Sequence, residues 1–243
     1  MKYKELISTL PKREGPHTSI DYYQYKGFWF PSIFLEATLS IQENFNAQPS
    51  DIFLCGLPKT GTTWLKALVF SIITRDIFVD STNPLLAKVP HECIPTMEIN
   101  STKKLTFQDT ELPLLPTHLP YICLPPSILE SKCKIIYICR KPKDTFVSTW
   151  HYKQRLKENI SEIRNNSTTL EQEFKWFLED KLAYGPYWDH VYEFWKASRD
   201  TPEKVMFIQY EDLKRDTLWY LKKLAEFIGK PFSEEEEKQC VAS

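Results

Sequence analysis

The stretch LCGLPKTGTTWLKAL (residues 54–68) passes from an apolar run through a short loop into a helix-forming segment. An apolar run that ends in glycine is typical of a buried parallel strand. Thr62 and Thr63 then begin a helix with an apolar middle. Backbone N–H groups in such a strand-to-helix loop, together with the helix dipole, favour a bound anion. The stretch therefore predicts a phosphate-binding loop in an α/β domain.

The loop departs from the motif that binds ATP in P-loop NTPases. Gly56 and Gly61 have the spacing of that motif, which continues with a lysine and a serine or threonine. Here Thr62 follows Gly61, and the lysine, Lys59, lies inside the loop. Two hydroxyls, one ammonium and the backbone N–H groups still favour an anion. The arrangement does not match a Mg²⁺–triphosphate site.

Two further apolar runs, KIIYIC (134–139) and KVMFIQYED (204–212), each precede a helical segment. The alternation of strand and helix predicts an α/β fold with a parallel sheet flanked by helices. Right-handed connections place the carboxyl ends of such strands on one edge, where ligands bind. We therefore expect the segments 56–63, 140–148 and 210–212 to meet there.

Length and composition narrow the class of protein. The 243 residues suit a single domain over residues 1–243. The net charge of −1 argues against a nucleic-acid partner, and the absence of a long apolar run argues against a membrane span. Six cysteines without a Cys-x-x-Cys pair indicate neither a zinc ribbon nor a redox motif. The amino terminus lacks the apolar core of a signal peptide, so we expect a cytoplasmic protein.

Two regions outside the strand–helix units carry further expectations. Residues 76–127 are rich in proline, which predicts loops and short elements of the kind that form substrate walls. Trp188, Tyr192 and Trp195 recur at helical spacing. We expect this aromatic stripe to pack in the core.

The run LPKTGTTWLKAL resembles the phosphosulfate-binding loop of the cytosolic sulfotransferases of the sulfotransferase 1 type. YQYKGFW (23–29) and NPLLAKVPHECIP (83–95) resemble the plant branch of that family. These enzymes transfer a sulfonate group from 3′-phosphoadenylyl sulfate (PAPS) to a hydroxyl or an amine. The resemblance extends over essentially the whole chain and implies the P-loop-like sulfotransferase fold.

The resemblance implies roles for the residues of the loop. Residues that would wrap the 5′-phosphosulfate or the adenine are Lys59, Thr60, Gly61, Thr62, Thr63 and Trp64. In the family pattern the lysine stabilises charge on the bridging oxygen as the bond to sulfur breaks, and the tryptophan stacks on the adenine. A fixed cation and aimed N–H groups stabilise a developing negative charge, so this chemistry needs no metal.

The second strand end carries RKPKDTFVS (140–148), which is similar to the family's 3′-phosphate motif. The similarity implies that Arg140 and Ser148 hold the 3′-phosphate of PAPS. Taken alone, an arginine at a strand end is more often a surface residue. At the third strand end the resemblance implies that Tyr210 contacts the nucleotide, whereas the plain alternative is a packing tyrosine.

Among the five histidines, only His118 stands out, because it lies between Pro116 and Pro120 in a constrained loop. A loop histidine usually makes a surface hydrogen bond. THLP (117–120) is similar to the family segment that carries the general base, which implies that His118 takes the proton from the acceptor hydroxyl. Many family members have a lysine or serine where Pro116 stands. We expect His91, in VPHECIP, to be structural.

Two alternatives remain open at this stage. Family members continue beyond the equivalent of Ser243 with further nucleotide contacts and a dimer motif, so the resemblance implies a C-terminally truncated chain with an uncertain oligomeric state. Such a chain could be a non-catalytic nucleotide-binding relative with little or no activity. A P-loop kinase, with Asp212 as a magnesium partner, is disfavoured because no lysine follows Gly61. We expect the acceptor to be a small molecule with a hydroxyl group, and the composition does not select its chemical class.

Overall fold

The structure is a computed structural model that describes residues 3–14, 20–78, 80–100, 105–107, 110–159 and 169–236. The helices are α1 Lys4–Thr9, α2 Ser32–Asn44, α3 Thr62–Thr74, α4 Pro90–Cys93, α5 Met97–Asn100, α6 Pro126–Glu130, α7 Pro142–Asn159, α8 Leu170–Leu178, α9 Tyr187–Asp200, α10 Tyr210–Arg215 and α11 Thr217–Phe227. The strands are β1 Lys12–Glu14, β2 Asp21–Tyr25, β3 Phe28–Pro31, β4 Ile52–Cys55, β5 Leu105–Phe107, β6 Thr110–Leu112, β7 Leu114–Thr117, β8 Lys134–Cys139 and β9 Val205–Gln209.

The central sheet is parallel, has four strands and follows the order β7-β4-β8-β9. The predicted α/β fold and the three predicted strands β4, β8 and β9 are confirmed. The edge strand β7 was not predicted, because its prolines indicated a loop. Pro116 lies opposite Leu54 in this strand. An edge position tolerates proline because the missing N–H would face away from the sheet.

Alternate side chains of the central sheet pack into two separate hydrophobic cores, one on each face. Ile52 and Leu54 belong to the core on the side of α3, whereas Phe53 and Cys55 belong to the core on the side of α9. Successive side chains of a strand point to opposite faces, so a sheet covered on both faces needs a continuous apolar run. The sequence IFLC of β4, which is buried throughout, meets that requirement.

A small antiparallel sheet, β1-β2-β3, precedes the central sheet. Lys26 and Gly27 join β2 to β3, with φ angles of 49° and 86°. Positive φ at both loop residues is the signature of a type I′ turn, whose twist matches that of the paired strands. The aromatic segment YQYKGFW is therefore a hairpin that the sequence pattern did not reveal.

The expected burial of the aromatic stripe on α9 is wrong. Trp188, Tyr192 and Trp195 are 63%, 57% and 47% exposed. The opposite face of α9 is buried instead, and its Phe194 ring stacks on Tyr137 of β8 with ring centroids 4.2 Å apart. Both faces of the helix are aromatic, so helical periodicity alone could not tell which face packs.

The proline-rich region 76–127 is built of short elements, as predicted. It contains α4, α5, α6, β5, β6 and β7 together with single turns of 3-10 helix. Within the part of the chain that the structure describes, no helix combines the length and the apolar character needed to cross a membrane.

Candidate active site

The loop between β4 and α3 takes its shape from two glycines. Gly61 has a φ of +109°, and a Cβ there would lie 2.5 Å from the Tyr210 ring. A Cβ at Gly56 would lie 2.7 Å from the carbonyl oxygen of Ile138. Only glycine tolerates both the backbone angle and the approach at position 61. The loop is therefore pressed against the ends of β8 and β9.

The threonines of the loop divide into buried and accessible members. Thr60 is fully buried, and its hydroxyl donates to the Leu57 carbonyl at 2.7 Å, which closes the turn. Thr62 is buried at the first position of α3. Thr63 is exposed, and its Oγ1 lies 2.9 Å from Nε2 of His91. His91, which we expected to be structural, thus contacts a predicted cofactor residue.

Lys59 is held in a strained and positively charged setting. Its φ is 70°, a left-handed conformation that is uncommon outside glycine. Its Nζ lies 4.4 Å from the centroid of the Tyr152 ring. Burial, followed by the charges of Arg155 and Arg140, lowers the pKa of Lys59 below its ordinary value. A bound anion would relieve this repulsion between cations.

Arg140, Tyr210 and Trp64 form one contiguous group. The Arg140 guanidinium lies over the Tyr210 ring at 4.6 Å, and Trp64 meets that ring edge-on at 5.8 Å. One guanidinium N–H of Arg140 donates to the Lys59 carbonyl at 3.5 Å. Within the described residues, the buried Nε of Arg140 has no hydrogen-bond partner. A buried donor of this kind is costly unless a ligand satisfies it.

Ser148 lies in the second turn of α7, and its side chain is half-buried. Residues three and four apart share a face of a helix. Ser148 therefore lies on the face that carries Thr145 and Tyr152, and the latter supports the Lys59 ammonium. Helix α7 begins at Pro142, two residues after Arg140, and the role of Ser148 at the 3′-phosphate stays a prediction.

His118 directly follows β7, so the unpredicted edge strand places it beside the loop. Its backbone N–H donates to Glu98 Oε1 at 2.7 Å. Its Nδ1 lies 2.6 Å from the carbonyl oxygen of Gly56. A carbonyl only accepts, so Nδ1 carries the hydrogen and Nε2 is left with a free lone pair when the ring is neutral. The Gly56 carbonyl therefore selects the tautomer that can act as a base at Nε2.

Burial lowers the pKa of His118 below its ordinary value, and the Glu98 carboxylate offsets part of that effect. His118 is therefore neutral at physiological pH. The second carboxylate oxygen of Glu98 accepts from the Thr117 hydroxyl at 2.9 Å. This buried carboxylate was not identified from the sequence, because nothing nearby in the chain marks it as a partner of His118.

A second histidine, His190, bonds to the backbone of His118. His190 is fully buried, and its Nε2–H donates to the His118 carbonyl at 3.0 Å. The hydroxyl of Tyr137 donates to His190 Nδ1 at 2.9 Å. Burial lowers the pKa of His190 to about 4, so this ring stays neutral. His190 lies on the buried face of α9, and the sequence pattern did not single it out.

A cavity of about 380 Å³ lies beside these groups. Its lining includes both Lys59 and His118. Its remaining walls are mostly apolar or aromatic, with contributions from Tyr22, Phe34 and Tyr184. The size is that of a pocket for a small organic molecule. The structure thus places the predicted cation and the predicted base at one cavity next to the anion loop.

A family model described as the sulfotransferase domain matches residues 49–243. The chain belongs to the sulfotransferase family. A flavonol sulfotransferase-like protein of Flaveria bidentis is 45% identical to this sulfotransferase over 98% of the chain and 77% of the relative. A solved putative steroid sulphotransferase of Arabidopsis thaliana has a TM-score of 0.80 at 40% identity, with 98% of this chain and 82% of that chain covered. A mouse sulfotransferase complexed with PAP has a TM-score of 0.65 at 29% identity, with 91% and 73% covered.

The family membership confirms the predicted activity, PAPS-dependent sulfonate transfer, and overturns the kinase alternative. Asp212, the carboxylate on which that alternative depended, lies within α10 rather than at the end of β9. It forms an ion pair with Arg215 at 2.8 Å. Among the described residues of this sulfotransferase, no group of three or more histidine, cysteine or acidic side chains is placed to hold a metal ion.

Proposed function

We propose that this sulfotransferase moves the sulfonate group of PAPS to a hydroxyl of a small, flat aromatic acceptor, with His118 as the general base and Lys59 as the cation at the leaving group. The observation that carries the proposal is that Lys59 and His118 line the same cavity beside an anion-binding loop. A nucleophile bound in that cavity would have a base on one side and the loop on the other.

The residues present fit PAPS. The unpartnered Nε of Arg140 and the crowded cations around Lys59 both favour an anionic ligand. Backbone N–H groups at the start of α3, with Thr62 and Thr63, would hold the 5′ end, and Arg140 and Ser148 the 3′-phosphate. When bound, PAPS supplies an activated sulfonate whose transfer leaves negative charge on the phosphate.

Trp64 and Tyr210 would hold the adenine side of the nucleotide. Their rings meet at 5.8 Å, and Tyr210 also supports the Arg140 guanidinium. A base stacked on Trp64 would therefore lie beside the arginine that takes the 3′-phosphate. Aromatic stacking of this kind contributes about 1–3 kcal/mol per base. Thr60 uses its hydroxyl to close the turn, and Gly61, which has no side chain, offers only its backbone to the ligand.

His118 acts at Nε2. The neutral ring takes the proton of the acceptor hydroxyl as its oxygen attacks sulfur, and the proton stays on Nε2. Because Nδ1–H already donates to the Gly56 carbonyl, the ring keeps its orientation when Nε2 takes up the proton. Glu98 stabilises that cation electrostatically.

Lys59 acts on the opposite side of the sulfur. Its ammonium is attached to a short turn and supported by the Tyr152 ring, so it needs little rearrangement to meet the developing charge. A fixed cation in a partly desolvated site stabilises the transition state more than it would in water.

The acceptor class is supported by the cavity walls and by the relatives. Flat aromatic side chains such as Tyr22, Phe34 and Tyr184 suit a planar ring system. The Flaveria bidentis relative is called flavonol sulfotransferase-like, and the Arabidopsis thaliana structure is called a putative steroid sulphotransferase. We favour a planar phenol over a steroid because the lining is aromatic on several sides.

The cytoplasm is the proposed location. Cys55, Cys93, Cys123, Cys133 and Cys139 are buried free thiols. Unpaired cysteines suit a reducing compartment. We further propose that the reaction needs no metal, since Lys59 and Arg140 supply the charge that faces the anion. We also propose that it involves no nucleic-acid or membrane partner.

The proposal is tested with the purified chain and 3′-phosphoadenosine 5′-phosphate (PAP). Calorimetry should show PAP binding, and a transfer assay with PAPS should show turnover of a planar phenol. We expect Lys59→Ala to remove turnover and Arg140→Ala to weaken PAP binding about tenfold or more, because it removes a charged contact to phosphate. Absence of PAP binding at millimolar concentration would overturn the active-enzyme proposal. Binding without turnover for any hydroxyl acceptor would support the non-catalytic alternative.

A further inference from the structure

A chain of three side chains leads from the interior of the domain to the anion loop. Lys66 of α3 is 1% exposed. Its ammonium lies 3.3 Å from Nδ1 of His91 on α4. Nε2 of the same ring lies 2.9 Å from Oγ1 of Thr63, at the accessible side of the loop. A buried cation is thereby connected to a hydroxyl at the nucleotide site.

The hydrogens of Lys66 determine the direction of this chain. The Lys66 ammonium donates to the Ile94 carbonyl at 3.1 Å and to the Thr96 hydroxyl at 3.1 Å. An ammonium has three hydrogens and no acceptor, so the third hydrogen goes to His91 Nδ1. Burial lowers the pKa of Lys66 to about 8, which leaves most of the side chain charged at pH 7.

The tautomer of His91 follows from that bond. Because Nδ1 accepts, Nε2 of the neutral ring carries the hydrogen and donates to Thr63 Oγ1. The hydroxyl hydrogen of Thr63 is then not used on His91. Thr63 is exposed at the second position of α3, where the helix N–H groups favour an anion.

We propose that Lys66 and His91 are positioning residues that direct the hydroxyl hydrogen of Thr63 toward the 5′-phosphosulfate. This inference rests on the proposed function. Without the bond from Lys66, His91 Nε2 could accept the hydroxyl hydrogen of Thr63, which would then have to rotate when the nucleotide binds. A donor that already points at the site of negative charge needs no such reorientation.

A double-mutant cycle on PAP affinity, measured by calorimetry, tests the link from His91 to Thr63. Thr63→Val should weaken PAP binding about tenfold, because it removes a hydrogen bond to a charged group. His91→Leu should weaken it about three- to fivefold, as part of that same bond. The double variant should bind no more weakly than Thr63→Val alone. His91→Gln, whose amide offers one acceptor and one donor, should recover most of the affinity.

The controls separate positioning from folding. Glu92→Ala alters an exposed neighbour on α4 and should change nothing. A loss from His91→Leu that persists undiminished in the Thr63→Val background would show a structural role and overturn the inference, as would unchanged affinity in His91→Leu. Should His91→Leu fail to fold, His91→Asn, whose amide is shorter, replaces it in the cycle. If the wild-type chain does not bind PAP, the proposed function fails first.

Discussion

The anion loop and the proposed base meet at one edge of the sheet, but different kinds of contact hold them there. Residues 56–63 are held by backbone geometry, with Gly61 at a φ of +109°, and by close packing against Tyr210 and Ile138. His118 owes its orientation to groups from distant parts of the chain. Glu98 and His190 bond to its backbone, and the Gly56 carbonyl accepts from its Nδ1–H.

The comparison shows two ways to build one site. A loop held by backbone angles and close packing leaves no room for an added carbon atom at its glycines. A residue held by hydrogen bonds from several other elements is harder to displace, because the loss of one bond leaves the others in place. Changes in the loop should therefore alter binding, whereas changes around the histidine should alter turnover and its pH dependence.

The largest effect that would sharpen this contrast comes from His118→Ala. We expect turnover to fall by about 10²–10⁴-fold, the usual contribution of a general base, with PAP affinity unchanged. His151→Ala, which alters an exposed histidine of α7, serves as the matched control. A transfer assay measures turnover and a PAP titration measures affinity for both variants. Equal turnover in the two variants would contradict the role of His118.

Gly61→Ala tests whether the loop is as intolerant as its geometry indicates. The new Cβ would lie 2.5 Å from Tyr210 at a φ of +109°, so we expect a loss of about 1–3 kcal/mol in unfolding free energy together with weaker PAP binding. Gly27→Ala is the matched control, because its φ is +86° but no atom lies within 4 Å of the new Cβ. The unfolding free energy of Gly27→Ala should fall by only about 1–2 kcal/mol, and its PAP affinity should not change. Similar PAP affinities for the two variants would contradict the tight packing assigned to position 61.

Glu98→Gln addresses the partners of His118. The carboxylate raises the pKa of His118, so removing its charge should lower that pKa further and weaken the base. We expect turnover to fall about tenfold and the acidic limb of the pH–rate profile to move to lower pH. Among the described residues, the hydrogen bonds of Glu98 go to Thr117 and His118, so we expect a smaller effect on PAP affinity than on turnover. A limb that moves to higher pH would contradict the assigned electrostatics.

The smallest effect concerns the wild-type pH profile. Burial lowers the pKa of His118, so the ring should remain neutral and active to a lower pH than an exposed histidine. Activity should therefore rise with pH and level off, with a midpoint below about 6.5, the ordinary pKa of histidine. Measurement of kcat/KM from pH 5 to 8 provides the test. A midpoint above that value would mean that His118 is not the titrating base.

The anion loop could be predicted from the sequence because each of its requirements is local. Gly56, Lys59 and Gly61 lie within a few residues of one another, and the strand and helix on either side are marked by their own composition. The same holds for Arg140, which directly follows the buried strand β8. Such elements need no knowledge of the rest of the fold.

Other parts of the site could not be predicted, since they depend on which faces pack. The strand β7 contains Pro116 and looked like a loop, yet it places His118 beside Gly56. The aromatic stripe on α9 looked like core, yet Trp188 is 63% exposed and the opposite face carries His190. Periodicity identifies a face of a helix but not the neighbour that covers it.

The α/β class, the anion loop and the family of this chain can therefore be predicted from the amino-acid sequence alone, because backbone geometry and apolar runs are encoded over short distances. The folded structure was needed to assign the tautomer of His118, the carboxylate that supports it and the link from Lys66 through His91 to Thr63. Those properties arise from hydrogen bonds between residues far apart in the chain. A hydrogen's position depends on the partner that the fold brings within reach.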